Sequence, residues 1–453
     1  MSSLTGTSVA VGGPLAGPAL ELTHEFEYAL DRFESGAHLF VTGRAGTGKS
    51  TLLQLIRRTT RRQLAIVAPT GVAALNVRGQ TIHSFFGFPG KLLRPGDVRR
   101  RRNRHLFERL ETLVIDEVSM VRADLLDRVD ESLRLNRDRP GEPFGGVQVV
   151  LFGDLFQLPP VVANPAERAL FEGPTAGYRS PYFFDARVWG ELGRQDEPQA
   201  LEMLELNTVF RQKARQFVRL LDAVREGHFD HDDLLDLNQR AVDESAFGAE
   251  PAITLTSTNR LADAINQREL GRLEGRAVRY VGELEGSFDS RNLPTDLALA
   301  IKPGAQVMFV RNDAAGRRYV NGTIGLVTAA EPERLVVRVE EDGRREELEV
   351  ARETWENVRY ALDPETGRIR EDVTGTFEQY PLKLAWAITI HKSQGKTFER
   401  MHLDLGRGAF ETGQTYVALS RCRTLDGIRL VRPLRARDVL VDERVADWYQ
   451  ARR

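Results

Sequence analysis

The strongest chemical signal in the sequence is a glycine-rich stretch that ends in a lysine and a serine. Residues 43–50 read GRAGTGKS and fit the pattern G-x-x-x-x-G-K-S, with an apolar run before them and helix-like spacing after them. In this pattern the glycines let backbone N–H groups close around phosphates, the lysine reaches the β- and γ-phosphate oxygens, and the hydroxyl binds Mg²⁺. The sequence therefore predicts a nucleoside triphosphate site with Lys49 as its cation and Ser50 as a metal ligand. The other predicted loop contacts are Gly43, Arg44, Ala45, Gly46, Thr47, Gly48 and Thr51.

Two adjacent acids supply the second half of this chemistry. Asp116 and Glu117 follow the apolar run TLVI, at the end of another predicted strand. An aspartate in this place holds Mg²⁺, and a glutamate beside it can orient or deprotonate an attacking water. Gln157, in GDLFQLPPV, is a candidate contact to the γ-phosphate or to that water. The pair favours hydrolysis, although two acids that cap the next helix would give the same pattern.

A second glycine-lysine stretch, AITIHKSQGKT at residues 387–397, lacks a residue that a phosphate-binding loop needs. Ile390 stands where the pattern requires the first glycine, so the stretch is not a second nucleotide site. Lysine is scarce in the chain, since only seven of the 63 basic residues are lysines. Three of them, Lys49, Lys392 and Lys396, lie in the two stretches, which indicates a specific need for an ammonium group there.

Short apolar runs place these groups on a common framework. The runs are apolar on both faces and are separated by helix-like segments, which predicts parallel sheets covered by helices. Because ligands of such sheets bind at the carboxyl ends of the strands, the polar residues after each run should gather along one edge. The predicted strands are HLFVTG (38–43), QLAIVAPT (63–70), TLVIDE (112–117), VQVVLFGD (147–154), ITLTSTN (253–259), LAWAITIH (384–391), MHLDLG (401–406) and IRLVRP (428–433).

A chain of 453 residues is too long for one ordinary core, which predicts several domains. We expect a flexible tail at 1–20, a first domain at 21–205 and a second at 206–453. Residues 305–350 read as antiparallel strands with a DG turn, and we predict a small β-barrel inserted into the second domain at about 326–380.

The composition is that of a globular protein outside the membrane. Apolar residues make up 41% and charged residues 28%, and the net charge of −2 excludes a uniformly basic coat, so any nucleic-acid contact must come from a local patch. No apolar run approaches the roughly 18 residues of a membrane span. The single cysteine, Cys422, excludes an intramolecular disulfide framework, and we expect a cytoplasmic protein.

An ordered series of motifs resembles the superfamily 1, branch B DNA helicases, above all the Pif (petite integration frequency) family, which is related to the RecD helicases. The resemblance extends from about residue 40 to about residue 430, nearly the whole chain. The motifs are GRAGTGKS, PTGVAALNVRGQTIHSF, VIDEVSM, PFGGVQVVLFGDLFQLPPV, VFRQ, ITIHKSQGKT and YVALSRCR. The resemblance implies an α/β fold of two RecA-like P-loop NTPase domains, parallel sheets flanked by helices, with the inserted β-barrel and a small wedge insertion at about 84–108.

The same resemblance assigns further residues to the nucleotide. Arg211 of VFRQ and Arg421 of ALSR are expected to reach the γ-phosphate, Gln157 to couple the nucleotide to the grip on DNA, and Gly395 to lie at the nucleotide. The family carries a glutamine that reads adenine where this chain has Phe26. We expect Phe26 to stack on the base, and acceptance of other nucleotides stays open.

The resemblance also implies a path for DNA across both domains. ITIHKSQGKT is similar to a motif that touches DNA and links it to the ATP cleft. Three alternatives stay open: a hydrogen-bonded core histidine at His391, a core role for the phenylalanines of SFFGF, and a solvated helix face for RRRRNR (99–104) in place of a wedge contact. The predicted contacts are Pro69, Thr70, His83, Ser84 and Phe85 in the first domain, and Thr389, His391, Lys392, Ser393 and Gln394 in the second.

The chain is therefore expected to be an ATP- and Mg²⁺-dependent 5′-to-3′ helicase. It would move on single-stranded DNA, as a monomer and away from membranes, and open duplex, forked or G-quadruplex DNA in replication, repair or recombination. Its protein partners are unknown. Three alternatives differ in substrate or class: an RNA or RNA–DNA helicase, a remodelling factor whose ATPase only switches affinity, and a P-loop kinase, against which Asp116 and Glu117 count.

Overall fold

A six-stranded parallel sheet organises the first half of the chain. The computed structural model describes residues 23–452 apart from 91, 95, 174–175, 193–200, 213, 243–251, 289, 291–292, 314–317 and 342–343, so the tail predicted at 1–20 lies outside the described residues. The strands lie in the order β3-β2-β4-β5-β1-β6, and every pair is parallel. They are β1 (Leu39–Gly43), β2 (Leu64–Ala68), β3 (Gln80–Thr81), β4 (Thr112–Ile115), β5 (Gln148–Phe152) and β6 (Glu202–Leu206).

Helices cover both faces of this sheet, which explains why its strands are apolar on both sides. All residues of β1, β4 and β5 are buried, as the parallel arrangement requires. The four strands predicted in this half are confirmed. The helices of this first unit are α1 (His24–Glu34), α2 (Lys49–Thr59), α3 (Gly71–Asn76), α4 (Ile82–Phe86), α5 (Arg104–Arg109), α6 (Ala123–Asn136), α7 (Pro165–Arg168) and α8 (Arg187–Leu192).

The second unit begins with a pair of helices and the first strand of its own sheet. Gly227 ends the first of these helices with φ of 75°, a left-handed conformation that glycine adopts without strain. The elements are α9 (Arg215–Glu226), α10 (His231–Asn238), β7 (Ile253–Thr256) and α11 (Asn259–Arg272).

Ten antiparallel strands then form what we call the β-module, residues 278–384. They make a five-stranded sheet in the order β14-β13-β12-β11-β17, a three-stranded sheet β15-β16-β9 and a two-stranded sheet β10-β8. The first and last of these sheets enclose one apolar core, as expected of a small inserted barrel. The strands are β8 (Val278–Val281), β9 (Glu283–Gly286), β10 (Ala298–Ile301), β11 (Gln306–Phe309), β12 (Ile324–Glu331), β13 (Arg334–Glu341), β14 (Arg344–Glu349), β15 (Glu353–Leu362), β16 (Ile369–Gln379) and β17 (Leu382–Leu384).

The antiparallel strands span more of the chain than the 326–380 expected from sequence. They begin at Val278. The sequence did not reveal β8, β9 and β10, because strands of four residues are too short to show a clear alternation of apolar residues; all four residues of β9 are exposed. The boundaries of the domains stay predictions.

The β-module packs against the first unit. The Tyr360 hydroxyl accepts a hydrogen bond from Ile66 N–H at 3.0 Å, and Ile369 N–H donates to Gln63 Oε1 at 2.6 Å. Arg57 pairs with Glu371 at 2.5 Å. These contacts join an otherwise separate layer to the first sheet.

The chain then returns to the second unit and completes a four-stranded parallel sheet in the order β18-β7-β19-β20. The strand predicted at 384–391 is divided, because Leu384 pairs with Val307 in the β-module and the parallel strand starts three residues later. The fold is thus α/β, with two RecA-like units. The last elements are β18 (Ala387–Thr389), β19 (Met401–Asp404), α12 (Gln414–Leu419), β20 (Ile428–Leu430) and α13 (Glu443–Gln450). Within the described ranges, none of the helices has the length and apolar character to cross a bilayer.

Candidate functional site

The loop between β1 and α2 has the shape that its glycines predict. Gly43, Gly46 and Gly48 have φ of 144°, 87° and 87°, which side chains rarely adopt. A Cβ on Gly43 would lie 2.4 Å from the Leu206 carbonyl oxygen, and one on Gly46 would lie 2.5 Å from Arg211 Cβ. The backbone therefore closes into a tight cradle at the N-terminus of α2, where free N–H groups and the helix dipole favour an anion.

Lys49 points back into this cradle. Its Nζ donates to the carbonyl oxygens of Gly43 at 2.6 Å and Arg44 at 2.9 Å. Burial lowers the pKa of Lys49 to about 8, although the nearby carboxylates of Asp154 and Glu117 oppose that change. The ammonium is thus held at the centre of the loop, where phosphate oxygens would meet it.

Two partly buried acids follow β4 beside the cradle. Burial raises the pKa of Asp116 to about 7, and burial also raises the pKa of Glu117, against the opposing charges of Lys49 and Arg421. Glu117 has φ of 50°, a strained backbone conformation for a residue with a side chain. Its side chain makes no capping hydrogen bond to the turn that follows, so the helix-capping alternative is not supported for Glu117.

The cradle opens into a cleft of about 890 Å³ between the two units. The cleft brings together most of the residues predicted for the nucleotide, from sites more than 300 positions apart in the chain. Phe210, Thr397 and Arg423 also line it and were missed from the sequence. The predicted residues that line it are Phe26, Ala45, Gly46, Thr47, Gly48, Lys49, Ser50, Thr51, Glu117, Gln157, Arg211, Gly395 and Arg421.

The two phenylalanines at the cleft differ in what they can contact. Phe26 is 3% exposed and packs in the core under Gly48, so its ring face is not free to stack on a base as predicted. Phe210 is 54% exposed at the same place, with its ring 3.6 Å from a Cβ built on Gly48. Phe210 is therefore the better aromatic partner for a base, and its place inside the VFRQ motif, next to Arg211, was the available signal.

Arg211 and Arg421 come from the second unit and face the cradle. Arg421 is 2% exposed; its Nε donates to the Val417 carbonyl oxygen at 2.9 Å and its Nη2 to Ser420 Oγ at 2.8 Å. Arg211 Nη1 donates to the Ser420 carbonyl oxygen at 3.2 Å. Burial lowers the pKa of both, that of Arg211 to about 9. Neither makes an ion pair in the described part of the chain, which leaves two desolvated cations suited to a phosphate.

Asp154, after β5, is a third buried acid that the sequence reading did not select. It is fully buried and pairs with the equally buried Arg225 at 3.1 Å. Burial alone would raise the pKa of Asp154, but Arg225 and Lys49 hold it below its ordinary value. Gln157 Nε2 donates to Asp154 Oδ2 at 3.3 Å, so the carboxylate orients the glutamine at the cleft.

The residues predicted to contact DNA in the first unit divide into two groups. Thr70 and His83 are partly buried at the N-termini of α3 and α4, and Ser84 is exposed beside them, whereas Pro69 precedes Thr70 at the end of the strand. Phe85 is 4% exposed and packs on Phe86, Phe107 and Tyr360. It is a core residue, and the prediction that Phe85 contacts DNA is not supported because no base can reach its ring.

The predicted contacts in the second unit divide in the same way. Lys392 is exposed, and His391 is 35% exposed and pairs with Glu411 at 3.0 Å, which does not support a role as a core histidine. Ser393 is fully buried and donates to the Ile390 carbonyl oxygen at 2.7 Å, and the 4%-exposed Thr389 accepts from Lys392 N–H.

Thr389 and Ser393 therefore shape the turn, and the structure does not support the prediction that they touch DNA, since their hydroxyls are buried and used internally. Gln394, partly buried, has an Nε2 with no partner among the described residues.

The arginine run 99–104 lines a separate pocket of about 560 Å³ with Arg359 of the β-module. Residues 99–103 are not helical, so the helix-face alternative fails for them; α5 begins at Arg104. The Arg101 guanidinium lies over Gly87, and burial and Arg359 lower its pKa. Arg100 and Arg104 pair with Asp138.

Comparison with known proteins supports one family. A family model described as PIF1-like helicase matches residues 22–233. The ATP-dependent DNA helicase Pif1 of Bdellovibrio bacteriovorus is 33% identical over 443 residues, which cover 95% of this chain and 92% of that protein. The human ATP-dependent DNA helicase PIF1 is 34% identical over 444 residues, covering 95% of this chain and 63% of the human protein. The chain thus spans less than two thirds of the length of the human relative.

Two solved structures of Bacteroides Pif1 resemble the chain, one with a higher TM-score than the other. Pif1 from Bacteroides sp in complex with ADP-AlF4 is 35% identical, with a TM-score of 0.84 over 95% of this chain and 96% of that one. Bacteroides Pif1 bound to ssDNA is 36% identical over the same shares, with a TM-score of 0.66.

Proposed function

This chain belongs to the PIF1-like helicase family, and from that premise we propose that it hydrolyses ATP to move along single-stranded DNA and to unwind duplex or structured DNA. The observation that carries the proposal is the composition of the cleft. One space is lined by Lys49 and Glu117 of the first unit and by Arg211 and Arg421 of the second. A site that needs both units makes hydrolysis depend on how the units are arranged, which a motor requires.

The residues divide the work of hydrolysis among them. Lys49 and the loop amides would bind the phosphates, and the two arginines would stabilise the charge that develops on the γ-phosphate, worth about 10³–10⁵ in rate for one such arginine. Glu117, with its pKa raised by burial, is suited to orient the attacking water and accept its proton. Gln157 would contact the γ-phosphate and would couple the loss of that phosphate to a change in the rest of the first unit.

Mg²⁺ fits the acidic end of the cleft. Ser50 is exposed and lines the cleft, whereas Asp116, which follows β4 next to Glu117, is not among the residues that line it; both side chains carry the oxygen donors that Mg²⁺ prefers. These two residues would hold the ion, which would neutralise phosphate charge when bound. Phe210 would stack on the base, without the hydrogen bonds that select adenine, so other nucleotides are expected to be accepted.

DNA would lie across the polar turns of both units. Thr70, His83 and Ser84 of the first unit and His391 and Lys392 of the second are accessible there. Contacts of this kind address phosphates, so binding should be tolerant of sequence and weakened by salt. We propose movement from 5′ to 3′ on family resemblance alone, on single-stranded, forked or G-quadruplex DNA, in replication, repair or recombination in the cytoplasm or nucleoid.

The units are also proposed to rearrange when DNA binds. This chain matches the ADP-AlF4 complex at a TM-score of 0.84 and the ssDNA complex at 0.66. A ligand shifts an arrangement only by binding one form better than another, so single-stranded DNA should favour an arrangement other than the one described above.

The decisive experiment compares DNA duplexes that carry either a 5′ or a 3′ single-stranded tail, with ATP turnover followed in parallel. Strand displacement from the 5′ tail alone is expected, with turnover stimulated by the tail. Displacement from the 3′ tail alone would contradict the direction. Stimulated turnover without displacement from either substrate would replace the helicase by a DNA-dependent switch, and a matched RNA tail would reveal an RNA helicase.

A further inference from the structure

The second unit and the segment leading into it hold three consecutive residues of the phosphate-binding loop. Ala45 N–H donates to the Tyr416 hydroxyl at 3.0 Å. On one side of it Arg44 pairs with Asp222 of α9 at 2.7 Å, and on the other Phe210 N–H donates to the Gly46 carbonyl oxygen at 2.9 Å. The tip of the loop is therefore shaped by residues outside the first unit.

Tyr416 is the central contact because its hydroxyl both accepts and donates a hydrogen bond. The side chain, on α12, is 3% exposed. The hydroxyl accepts from Ala45 N–H and donates to Asp154 Oδ2 at 3.2 Å. Asp154 is fixed in turn by the buried Arg225 at 3.1 Å. One hydroxyl thus joins the loop amide to a charged pair that spans both units, in an interior where hydrogen bonds are strong and missing ones costly.

The position of α12 gives this bridge a consequence for hydrolysis. Tyr416 lies five positions before Arg421, which faces the same cleft. A movement of α12 that brings the arginine toward the γ-phosphate also moves the hydroxyl that holds the loop. The positions of the loop and of the arginine are thereby coupled, and ADP, which lacks the γ-phosphate, does not need that coupling.

We propose that Tyr416 is a positioning residue for ATP hydrolysis, which ties the Ala45 amide to Asp154 and so lets the second unit set the shape of the phosphate-binding loop. The proposal rests on the proposed ATPase function. Tyr416 touches neither substrate nor metal in this role, and acts through the loop.

Tyr416→Phe tests the bridge, because it keeps the buried ring and removes one hydroxyl. Tyr182→Phe is the matched control: Tyr182 is 2% exposed and its hydroxyl donates to Asp442 at 3.0 Å, so it too joins the two units through a carboxylate, away from the loop. Arg44→Ala, at a partly exposed side chain, loosens the same loop without touching the core and serves as a second variant if Tyr416→Phe lowers the melting temperature more than Tyr182→Phe does.

Two measurements separate positioning from packing. Hydrogen exchange of amides 43–48 in nucleotide-free protein should be about tenfold faster in Tyr416→Phe, the effect of one lost hydrogen bond, and unchanged in Tyr182→Phe. The kcat for ATP should fall about tenfold while the Kd of ADP changes less than about threefold, since only the transition state needs loop and arginine together.

Unchanged exchange in Tyr416→Phe would overturn the bridge. Faster exchange with an unchanged kcat, or equal losses for ATP and ADP, would overturn positioning and leave a structural contact. If the wild-type protein hydrolyses no ATP with or without DNA, the proposed function fails, whereas the exchange result still decides whether the hydroxyl holds the loop.

Discussion

At the level of single residues, the cleft is marked by two arginines that make no ion pair among the described residues. Arg211 and Arg421 are held by carbonyl and hydroxyl oxygens, which fix their direction without a direct contact to a carboxylate. A desolvated guanidinium that is preorganised in this way stabilises charge that develops during reaction more than charge present at the start.

Arg421→Ala is expected to lower kcat for ATP by about 10³-fold or more and to leave ADP binding measurable. Arg421→Lys should not restore the rate, because one ammonium cannot make the two fixed contacts of the guanidinium. Steady-state turnover and ADP titration check both statements. Arg429→Ala, on β20, is the control for loss of an arginine nearby, and a kcat for Arg421→Ala equal to that of the control would remove Arg421 from the site.

Phe210 gives a second prediction at this scale. Phe210→Ala should raise KM for ATP about 5- to 160-fold with little change in kcat, since base stacking is worth about 1–3 kcal/mol and acts before the reaction. Phe410→Ala, which removes another exposed phenylalanine, is the control in assays without DNA. A normal KM in Phe210→Ala would place the base elsewhere in the cleft.

At the level of elements, a histidine beside the first sheet helps to hold the strands that carry the site, and its hydrogen bond depends on its protonation state. His38, just before β1, is largely buried and accepts a hydrogen bond from Val149 N–H at its Nδ1, 3.0 Å away. Burial lowers its pKa from 6.5 to about 4. A neutral imidazole thus joins β1, which carries the phosphate-binding loop, to β5, which carries Asp154.

The contribution of His38 to the stability of the protein should be lost as the pH falls from 6.5 toward 4, while Asp116, whose pKa burial raises to about 7, contributes in the opposite direction. Between these values the unfolded chain binds a proton at His38 that the folded chain does not, so the contribution is complete above pH 6.5 and falls by about 2 kcal/mol by pH 5. Asn offers an acceptor oxygen near the position of Nδ1 and does not titrate.

Urea unfolding at pH 7.5 and pH 5 is the measurement, and between these values the wild type should lose about 2 kcal/mol of stability relative to His38→Asn. His402, whose pKa burial also lowers to about 4, contributes equally to both proteins and cancels. Equal losses in wild type and His38→Asn would contradict the assignment.

At the level of the whole molecule, the β-module is attached to the first unit through the buried Tyr360, which packs on Phe85, and through several polar contacts. Ile66, Gln63 and Arg57 of the first unit meet residues of β15 and β16. Hydrogen bonds and ion pairs that water can replace cost little net free energy to break, which suits an interface that opens in a working cycle.

Dyes attached at Arg61→Cys and Glu365→Cys should report that opening as a fall in energy transfer when single-stranded DNA binds, with no fall on adding ADP-AlF4 alone. Cys422 need not be replaced, because it is fully buried and burial raises its thiol pKa to about 12. The reference is the same pair of dyes with DNA that binds but is too short to span both units. Unchanged transfer at saturating long DNA would show that the β-module stays docked.

Much of the fold was predictable because its signals are local. The parallel strands of the first unit are unbroken apolar runs, and α9 ends at a glycine, so neighbouring residues suffice to predict them. The early strands of the β-module were missed because short, exposed strands carry no such pattern. These segments are strands because of the neighbouring strands with which they pair, and not because of their own residues.

The sequence by itself determined the chemistry of this protein: a phosphate-binding loop at GRAGTGKS, two acids after a later strand, and, through the family resemblance, motif arginines for the γ-phosphate. Only the tertiary structure decided which side chains can act. It buried Phe85, Thr389 and Ser393, exposed Phe210, and joined Tyr416 to an amide 371 positions away. The physical reason is that burial and hydrogen bonding are set by residues distant in the chain, which a motif, confined to a few adjacent positions, cannot specify.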